Sequence, residues 1–423
     1  MLKTPSSNQH CIDCFERAGI KLLDLYGAPI KPGYIKDYAH YYYPLTILDQ
    51  SNFTTTEILR NEKRILVCKI FRDITYPFHK ATYEREVSIM CSIGHPNIIR
   101  FDGVLLRGGG TQPSIVMAPG PLDSSVDSLS NVLIESSHTF SWKERCSIVY
   151  GTACGLLYLH SSLPNKPVII HNDLCIHNIL LNQDVIPKIC GFWFSLVLAE
   201  SPSISYHPPE DLFTATRDIY AAPEVLRGIQ KPSVASDIYS FGILIWELTC
   251  RDFRSRYDVL EKLLYGLESL HDSPKTKEVF LNERNSCFSQ IPQETPIPFI
   301  ALIKSCLVDQ PELRPTSQQV VDYIQQRMPS SSTSTATATV SLRDNPIFTK
   351  EIELQSVQII PSNSASMPAA SSSFSSSQPG SVLNPFGLFA SGSGGGSSSY
   401  QVASSTSCSS SSSTTTTTNA SKT

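Results

Sequence analysis

The sequence predicts an α+β chain folded as two lobes, strand-rich first and mainly helical after, and three stretches carry that prediction. Ile65-Leu66-Val67-Cys68-Lys69-Ile70-Phe71 is a β-type apolar run interrupted by a single Lys. From Trp142 onward helical spacing dominates. Asp237 to Thr249 is apolar nearly all round, the pattern of a helix buried on every side.

The elements follow in order. Ile12 to Tyr26 is amphipathic, and Gly27, Pro29, Pro32 and Gly33 then lead into an aromatic cluster at Tyr38 and Tyr41 to Tyr43. Residues 1–44 are therefore expected to form a small extension packed on the main domain, which runs over 45–328. Tyr83 to Ile93 has helical spacing, with Val87, Met90 and the Cys91/Ile93 pair near one face. Ser114 to Met117 reads as a short strand, Trp142 to His160 as a long helix, and the stretches near Ile169 and Ile179 to Leu181 as short strands.

Composition narrows the function classes. Lys and Arg number 34 against 38 Asp and Glu in 423 residues, a net charge of −4. Such a balance does not suit a protein built around nucleic acid or an acidic membrane surface. The longest apolar stretch, Phe241 to Leu248, is far short of the roughly 18 residues of a membrane span and is broken by Glu247. The 12 Cys lack regular spacing, as expected of reduced thiols in the cytoplasm. Cys11 and Cys14 form a lone C-x-x-C beside His10, and a zinc site needs a further ligand pair that is not evident. Residues 329–423 hold 42 Ser or Thr and six charged residues, too little apolar surface to offset ordering entropy, so this tail is expected to be disordered.

Several motifs then occur in a fixed order. Val67-Cys68-Lys69 lies on the first strong strand, and Glu86 stands nine residues before His95-Pro96-Asn97. His171-Asn172-Asp173-Leu174 is followed by Asn178, and Ala222-Pro223-Glu224 comes later. Ser236-Asp237-Ile238-Tyr239-Ser240-Phe241-Gly242 with Trp246-Glu247, and Leu313-Arg314-Pro315-Thr316, complete the set. From about Ile47 to Met328 this arrangement resembles a eukaryotic protein kinase domain of the tyrosine-kinase-like and tyrosine-kinase groups. The resemblance implies the two-lobed protein-kinase-like fold, with a β-rich first lobe carrying one long helix and a mainly α-helical second lobe.

It also implies a role for each residue. Lys69, held by Glu86, would present a positive charge to nucleotide phosphates. Asp173 would accept or orient the proton of an attacking hydroxyl, and Asn178 would hold one Mg²⁺. Glu224 and Arg314 would tie the activation segment to the helical lobe, and Asp237 would hydrogen-bond backbone near His171. A column of Phe101, Met90, Phe192 and His171, resting on Asp237, would join the lobes.

The pattern breaks in the metal and phosphate positions. Thirteen residues after Asn178, where the family has the Asp of D-F-G, the sequence reads Gly191-Phe192-Trp193. Glycine has no side-chain oxygen for Mg²⁺, which needs near-octahedral oxygen coordination. Loss of one preorganised electrostatic group commonly costs ~10²–10³ in rate. The glycine-rich loop should fall at Leu48 to Thr55, yet no Gly occurs between Gly33 and Gly94, and backbone bearing Cβ atoms approaches phosphates poorly. Asn172 replaces the Arg that in many kinases receives an activation-loop phosphate, and Cys175 stands where serine/threonine kinases have a Lys.

These breaks favour a pseudokinase, a signalling scaffold or allosteric regulator with weak or absent phosphoryl transfer. In that reading ATP binding is possible, Mg²⁺ binding is weak or absent, and the partners are other signalling proteins, an active kinase among them. The alternative is an atypical ATP-dependent protein kinase acting on Ser/Thr or Tyr hydroxyls of proteins, supported by the survival of Asp173 and Asn178. In the tail, Asn384-Pro385-Phe386 resembles the N-P-F ligand of EH domains, an EH-domain protein being the partner it implies; spacer sequence is the competing reading.

Overall fold

Strand β3 (Arg64–Phe71) shows why the first lobe folds as it does. Side chains alternate across a strand, so Val67 and Phe71 face the main core while Leu66, Cys68 and Ile70 face a second cluster with Leu59, Leu105, Val116 and Ala118. Burial on both faces accounts for an apolar run without polar alternation. Lys69 lies on the Val67 and Phe71 side. Around β3 the sheet is antiparallel, with β1 (Tyr43–Gln50), β2 (Thr54–Asn61), β4 (Arg100–Arg107) and β5 (Gln112–Ala118) in the order β1-β2-β3-β5-β4. This computed structural model describes residues 7–36, 43–50, 54–61, 64–72, 75–107, 112–119, 126–134, 139–198, 215–250 and 274–328. All of them fall in the larger of two compact units, Met1–Gly387.

Helix α1 spans Ser7–Arg17, shorter than the amphipathic stretch Ile12 to Tyr26 suggests. It stops because Gly19 takes φ +65°, the left-handed turn that closes helices. The chain then runs irregularly, burying Ile20, Leu25, Ile30 and Ile35. Helix α2 covers Pro77–Ser92 and starts six residues before the apolar periodicity, since Pro77 supplies a preorganised first turn. The N-terminal leg lies along it: Lys21 N–H donates to Glu84 Oε1 at 2.7 Å and Leu25 N–H to Ser92 Oγ at 3.2 Å. At the leg's end Lys36 N–H donates to Val104 O at 2.8 Å, and Tyr34 stands edge-on to Phe101 at 4.9 Å.

The second lobe is built on α4 (Trp142–His160) and α7 (Val234–Thr249). Each opens with a reciprocal cap, Ser141 with Glu144 and Ser233 with Ser236, which satisfies orphan N–H groups at the helix start. Every residue of α7 from Ser236 to Thr249 is buried, as its all-round apolar pattern predicts. Short strands β6 (Val126–Ser128), β8 (Ile179–Asn182) and β9 (Pro187–Ile189) form one small sheet in the order β6-β8-β9. Strands β7 (Val168–Ile170) and β10 (Leu196–Leu198) pair antiparallel. Between α3 (Leu129–Ile134) and the C-terminal helices lie α5 (Ala215–Tyr220) and α6 (Pro223–Leu226). Helices α8 (Pro274–Ser289), α9 (Ile297–Cys306) and α10 (Ser317–Arg327) complete the lobe. No described helix is long and apolar enough to cross a membrane, and no described cysteine takes part in a disulfide.

Glu247 is the residue that interrupts the apolar face of α7, and it is fully buried, accepting a short hydrogen bond from the Tyr220 hydroxyl. Burial pushes its carboxyl from 4.5 up to about 8, against the smaller opposing effect of the Tyr220 bond. The folded chain therefore holds a proton that the unfolded chain has released, so stability falls as pH rises between those two values. The loss across that window is on the order of a few kcal/mol. Thermal denaturation at about pH 5 and about pH 8 is expected to show this loss in the unaltered chain. Glu247→Gln, neutral throughout and still able to accept from Tyr220, is expected to flatten the slope; an unchanged slope would contradict the assignment.

Candidate functional site

Lys69 reaches from β3 to α2, where its Nζ lies 2.8 Å from Glu86 Oε2, and both side chains are buried. The other carboxylate oxygen of Glu86 accepts the Phe192 backbone N–H at 3.1 Å. One carboxylate thus joins the sheet, α2 and the segment that follows β9. Among the described residues this is where the cleft has its fixed positive charge backed by a buried partner.

Asp237, near the start of α7, organises the loop after β7. Its Oδ2 accepts His171 N–H at 2.7 Å and its Oδ1 accepts Asn172 N–H at 2.8 Å. His160 Nε2 lies 2.8 Å from the same Oδ2. These bonds hold Asn172 at φ +60°, a region that few side chains other than Asn occupy. Asp173 is then met by Asn178, whose Nδ2 donates to its backbone O at 2.7 Å and to its Oδ2 at 2.9 Å. Phe101, Met90, Phe192 and His171 are all buried, and the His171 and Phe192 rings meet edge-on at 5.2 Å. His171 Nε2 also lies 2.9 Å from Cys190 O.

The segment after residue 191 is bound from both lobes. Asn172 Nδ2 donates to Phe194 O at 2.9 Å, Ser195 Oγ to His171 O at 3.0 Å, and Arg85 Nη1 to Ser195 O at 3.0 Å. Asn172 therefore replaces a charged side chain with a direct amide tie. Gly191 adopts φ +81°, and a Cβ built there would lie 2.3 Å from Asn178 Oδ1. Position 191 has neither an oxygen ligand nor room for one while Asn178 holds Asp173.

Trp193 is a side chain of the cleft that sequence reasoning did not place there. Its Nε1 donates to Asp173 Oδ2 at 3.0 Å, and Lys69 Nζ stands 4.6 Å from its ring centroid. A cation over an indole face gains about 0.5–2 kcal/mol depending on desolvation. The half-buried indole thus touches the two groups assigned to phosphate and hydroxyl chemistry. The signal was visible only as an odd residue beside Phe192; nothing in the spacing says where an indole will turn.

The remaining positions fall as follows. Arg314 makes a two-pronged pair with Glu224 at 2.8 and 2.7 Å, deep in the second lobe. Cys175 is buried, which together with the nearby Asp173 charge raises its thiol well above the usual range, so the side chain stays neutral; no thiol supplies the cation that a Lys would. Residues 48–50 and 54–55, the two ends of the stretch Leu48 to Thr55 where the phosphate loop is expected, are strand. Ser51 to Phe53 lie outside the described residues, as do the tail and Asn384-Pro385-Phe386.

Among the described residues no cluster of three His, Cys, Asp or Glu side chains is placed to hold a metal ion. Asp173 and Asn178 bring side-chain oxygens to the cleft and Gly191 brings none, while the Trp193 indole contacts both Asp173 and Lys69. In this arrangement the residues present do not fit a magnesium-bound triphosphate.

Comparison with known proteins gives a consistent picture of descent. The sequence signature described as "Protein tyrosine and serine/threonine kinase" matches residues 52–324. The chain is 27 % identical over 263 residues to the probable serine/threonine-protein kinase drkA of Dictyostelium discoideum, covering 62 % of this chain and 35 % of that protein. It is 26 % identical over 245 residues to the dual specificity protein kinase shkA of the same organism, covering 58 % and 41 %. To the receptor-like cytosolic serine/threonine-protein kinase RBK2 of Arabidopsis thaliana it is 30 % identical over 187 residues, covering 44 % and 38 %. The chain thus spans well under half the length of these relatives.

Proposed function

We propose that this chain, which belongs to the protein tyrosine and serine/threonine kinase family, uses its kinase domain as a signalling scaffold or allosteric regulator with weak or absent phosphoryl transfer. The observation that carries the reading is position 191. A glycine at φ +81°, closed against Asn178, stands where the family's metal-binding carboxylate belongs. The family binds ATP with Mg²⁺ in general. Here Lys69, Glu86 and Asn178 are assigned to nucleotide contact, with Mg²⁺ binding at Asn178 weak or absent, and Asp173 to proton handling in any residual transfer. His171, Phe192, Glu224, Asp237 and Arg314 are assigned to structure. The partners are other signalling proteins, an active kinase among them; for the tail motif at Asn384-Pro385-Phe386 spacer sequence is the favoured reading and an EH-domain protein the alternative partner. The domain runs over 45–328, between an N-terminal extension and a Ser/Thr-rich tail, in the cytoplasm.

A second reading, an ATP-dependent kinase acting on Ser/Thr or Tyr hydroxyls, is favoured by the intact Asp173–Asn178 contact and the assembled column of Phe101, Met90, Phe192 and His171. One assay separates the two. The purified chain, given labelled ATP, Mg²⁺ and a general protein substrate, is expected to incorporate no more label than Asp173→Asn. Incorporation that Asp173→Asn abolishes would defeat the scaffold reading.

A further inference from the structure

The indole of Trp193 lies against the ammonium group of Lys69 and the carboxylate of Asp173 at the same time. Lys69 Nζ stands 4.6 Å from its ring centroid, and its Nε1 donates to Asp173 Oδ2 at 3.0 Å. A phosphate chain carrying Mg²⁺ would need both of these groups, the first as a cation for its oxygens and the second to face the metal or the attacking hydroxyl. The indole satisfies each with its own chemistry, offering a π face to the cation and a donor to the anion.

We propose that Trp193 decides what the cleft accepts: it fills the space between Lys69 and Asp173 and excludes metal-bound polyphosphate, leaving ligands of the neutral nucleoside class as those the cleft can take without moving it. This deepens, and rests on, the reading of the domain as impaired in phosphoryl transfer.

Three neighbours hold the indole in place. Glu86 fixes the Phe192 N–H at 3.1 Å, and Asn172 fixes the Phe194 carbonyl at 2.9 Å, so the backbone on either side of Trp193 is tethered. The Phe194 ring packs against it with centroids 4.6 Å apart. The charges of Lys69 and Asp173 complete the arrangement. A ligand bringing phosphates must break the Asp173 bond and uncover Lys69; a ligand that stops short of the phosphate region breaks neither.

The test uses the full chain, unaltered and as Trp193→Gly and Trp193→Phe, titrated with ATP plus Mg²⁺ and separately with adenosine. The unaltered chain is expected to bind ATP plus Mg²⁺ no more tightly than adenosine. Trp193→Gly is expected to bind ATP plus Mg²⁺ at least about tenfold more tightly than the unaltered chain, a change of 1.4 kcal/mol. Trp193→Phe, which keeps a ring over Lys69 but loses the donor, should gain less. If Trp193→Gly gains nothing, or if the unaltered chain already prefers ATP plus Mg²⁺ about tenfold over adenosine, the proposal fails. Should Trp193→Gly not fold, fluorescence of the unaltered chain decides: the emission contributed by Trp193, taken as the difference from Trp193→Phe, must change when ATP plus Mg²⁺ binds, and binding without that change overturns the proposal. Failure of these arms leaves the scaffold reading intact, because that reading falls only to label transfer that depends on Asp173.

Discussion

Arg314→Ala is expected to lower the stability of the folded chain by about 3–5 kcal/mol, the range for stripping one partner from a buried ion pair. The guanidinium is buried and fully committed. It donates to both oxygens of Glu224, and to Val308 O at 2.8 Å, Asp309 O at 2.9 Å and Ala235 O at 3.0 Å. It also packs over the Tyr239 ring at 4.9 Å. Removing it leaves the buried Glu224 carboxylate without its Arg314 counter-charge and takes a donor away from each of three carbonyls. The reverse change is milder: Glu224→Gln keeps an acceptor for Arg314, whose carbonyl partners also remain. Urea denaturation should therefore rank Arg314→Ala as the more damaging change. A surface control, Arg227→Ala, removes two solvent-facing pairs, with Glu278 and with Asp309, and should change stability by less than about 1 kcal/mol. Equal losses for all three variants would show that burial of the Arg314 pair does not matter as described.

Gly191→Asp, the obvious way to restore a metal-binding carboxylate, is expected to fail by itself. The backbone at φ +81° disfavours any L side chain, by roughly 1–2 kcal/mol. Its Cβ would meet the Asn178 amide, which could move only by releasing its bonds of 2.7 and 2.9 Å to Asp173. The single variant should melt at lower temperature and transfer no more phosphate than the unaltered chain. Combining it with Trp193→Gly removes the indole from Asp173 and Lys69 and sets beside position 191 a residue free enough for that backbone to leave φ +81° and Asn178, and only this double variant is expected to show transfer that depends on Asp173. A gain of ~10²-fold, the scale for one electrostatic group at a reacting centre, is the size to look for. Full activity from Gly191→Asp alone would mean that Asn178 and Trp193 yield far more readily than their contacts imply.

How far the sequence foretold this site depends on what kind of information each residue carries. Lys69 and Glu86 are legible because a strand and a helix with regular repeats place them, and the cleft follows from their order. Asp237, His171 and Asn172 are legible as a spaced set, although the His160 contact to Asp237 is not, since a His at a helix end has many fates. Trp193 was legible only as a missing glycine. The direction of its ring depends on contacts with Asp173 and Lys69, which are 20 and 124 residues away in the chain. The hairpin of β1 and β2 was hidden for a different reason. Its pairing carries two register shifts, between Pro44 and Thr46 and between Ile47 and Asp49, and Leu45 and Ile47 are exposed, so no clean alternation marks it. The amphipathic spacing that begins at Ile12 runs on past Gly19, where the first helix has already ended, so spacing alone does not mark that end.

The bond from the Asn172 amide to the Phe194 carbonyl joins two uncharged groups. Salt has no charge there to screen, and a phosphatase has nothing there to remove. Where an arginine would wait for an enzyme to install its anion, this asparagine closes the contact as soon as the polypeptide folds. The contact that fixes the backbone beside Trp193 is in that respect complete in the folded polypeptide itself, with no added anion required.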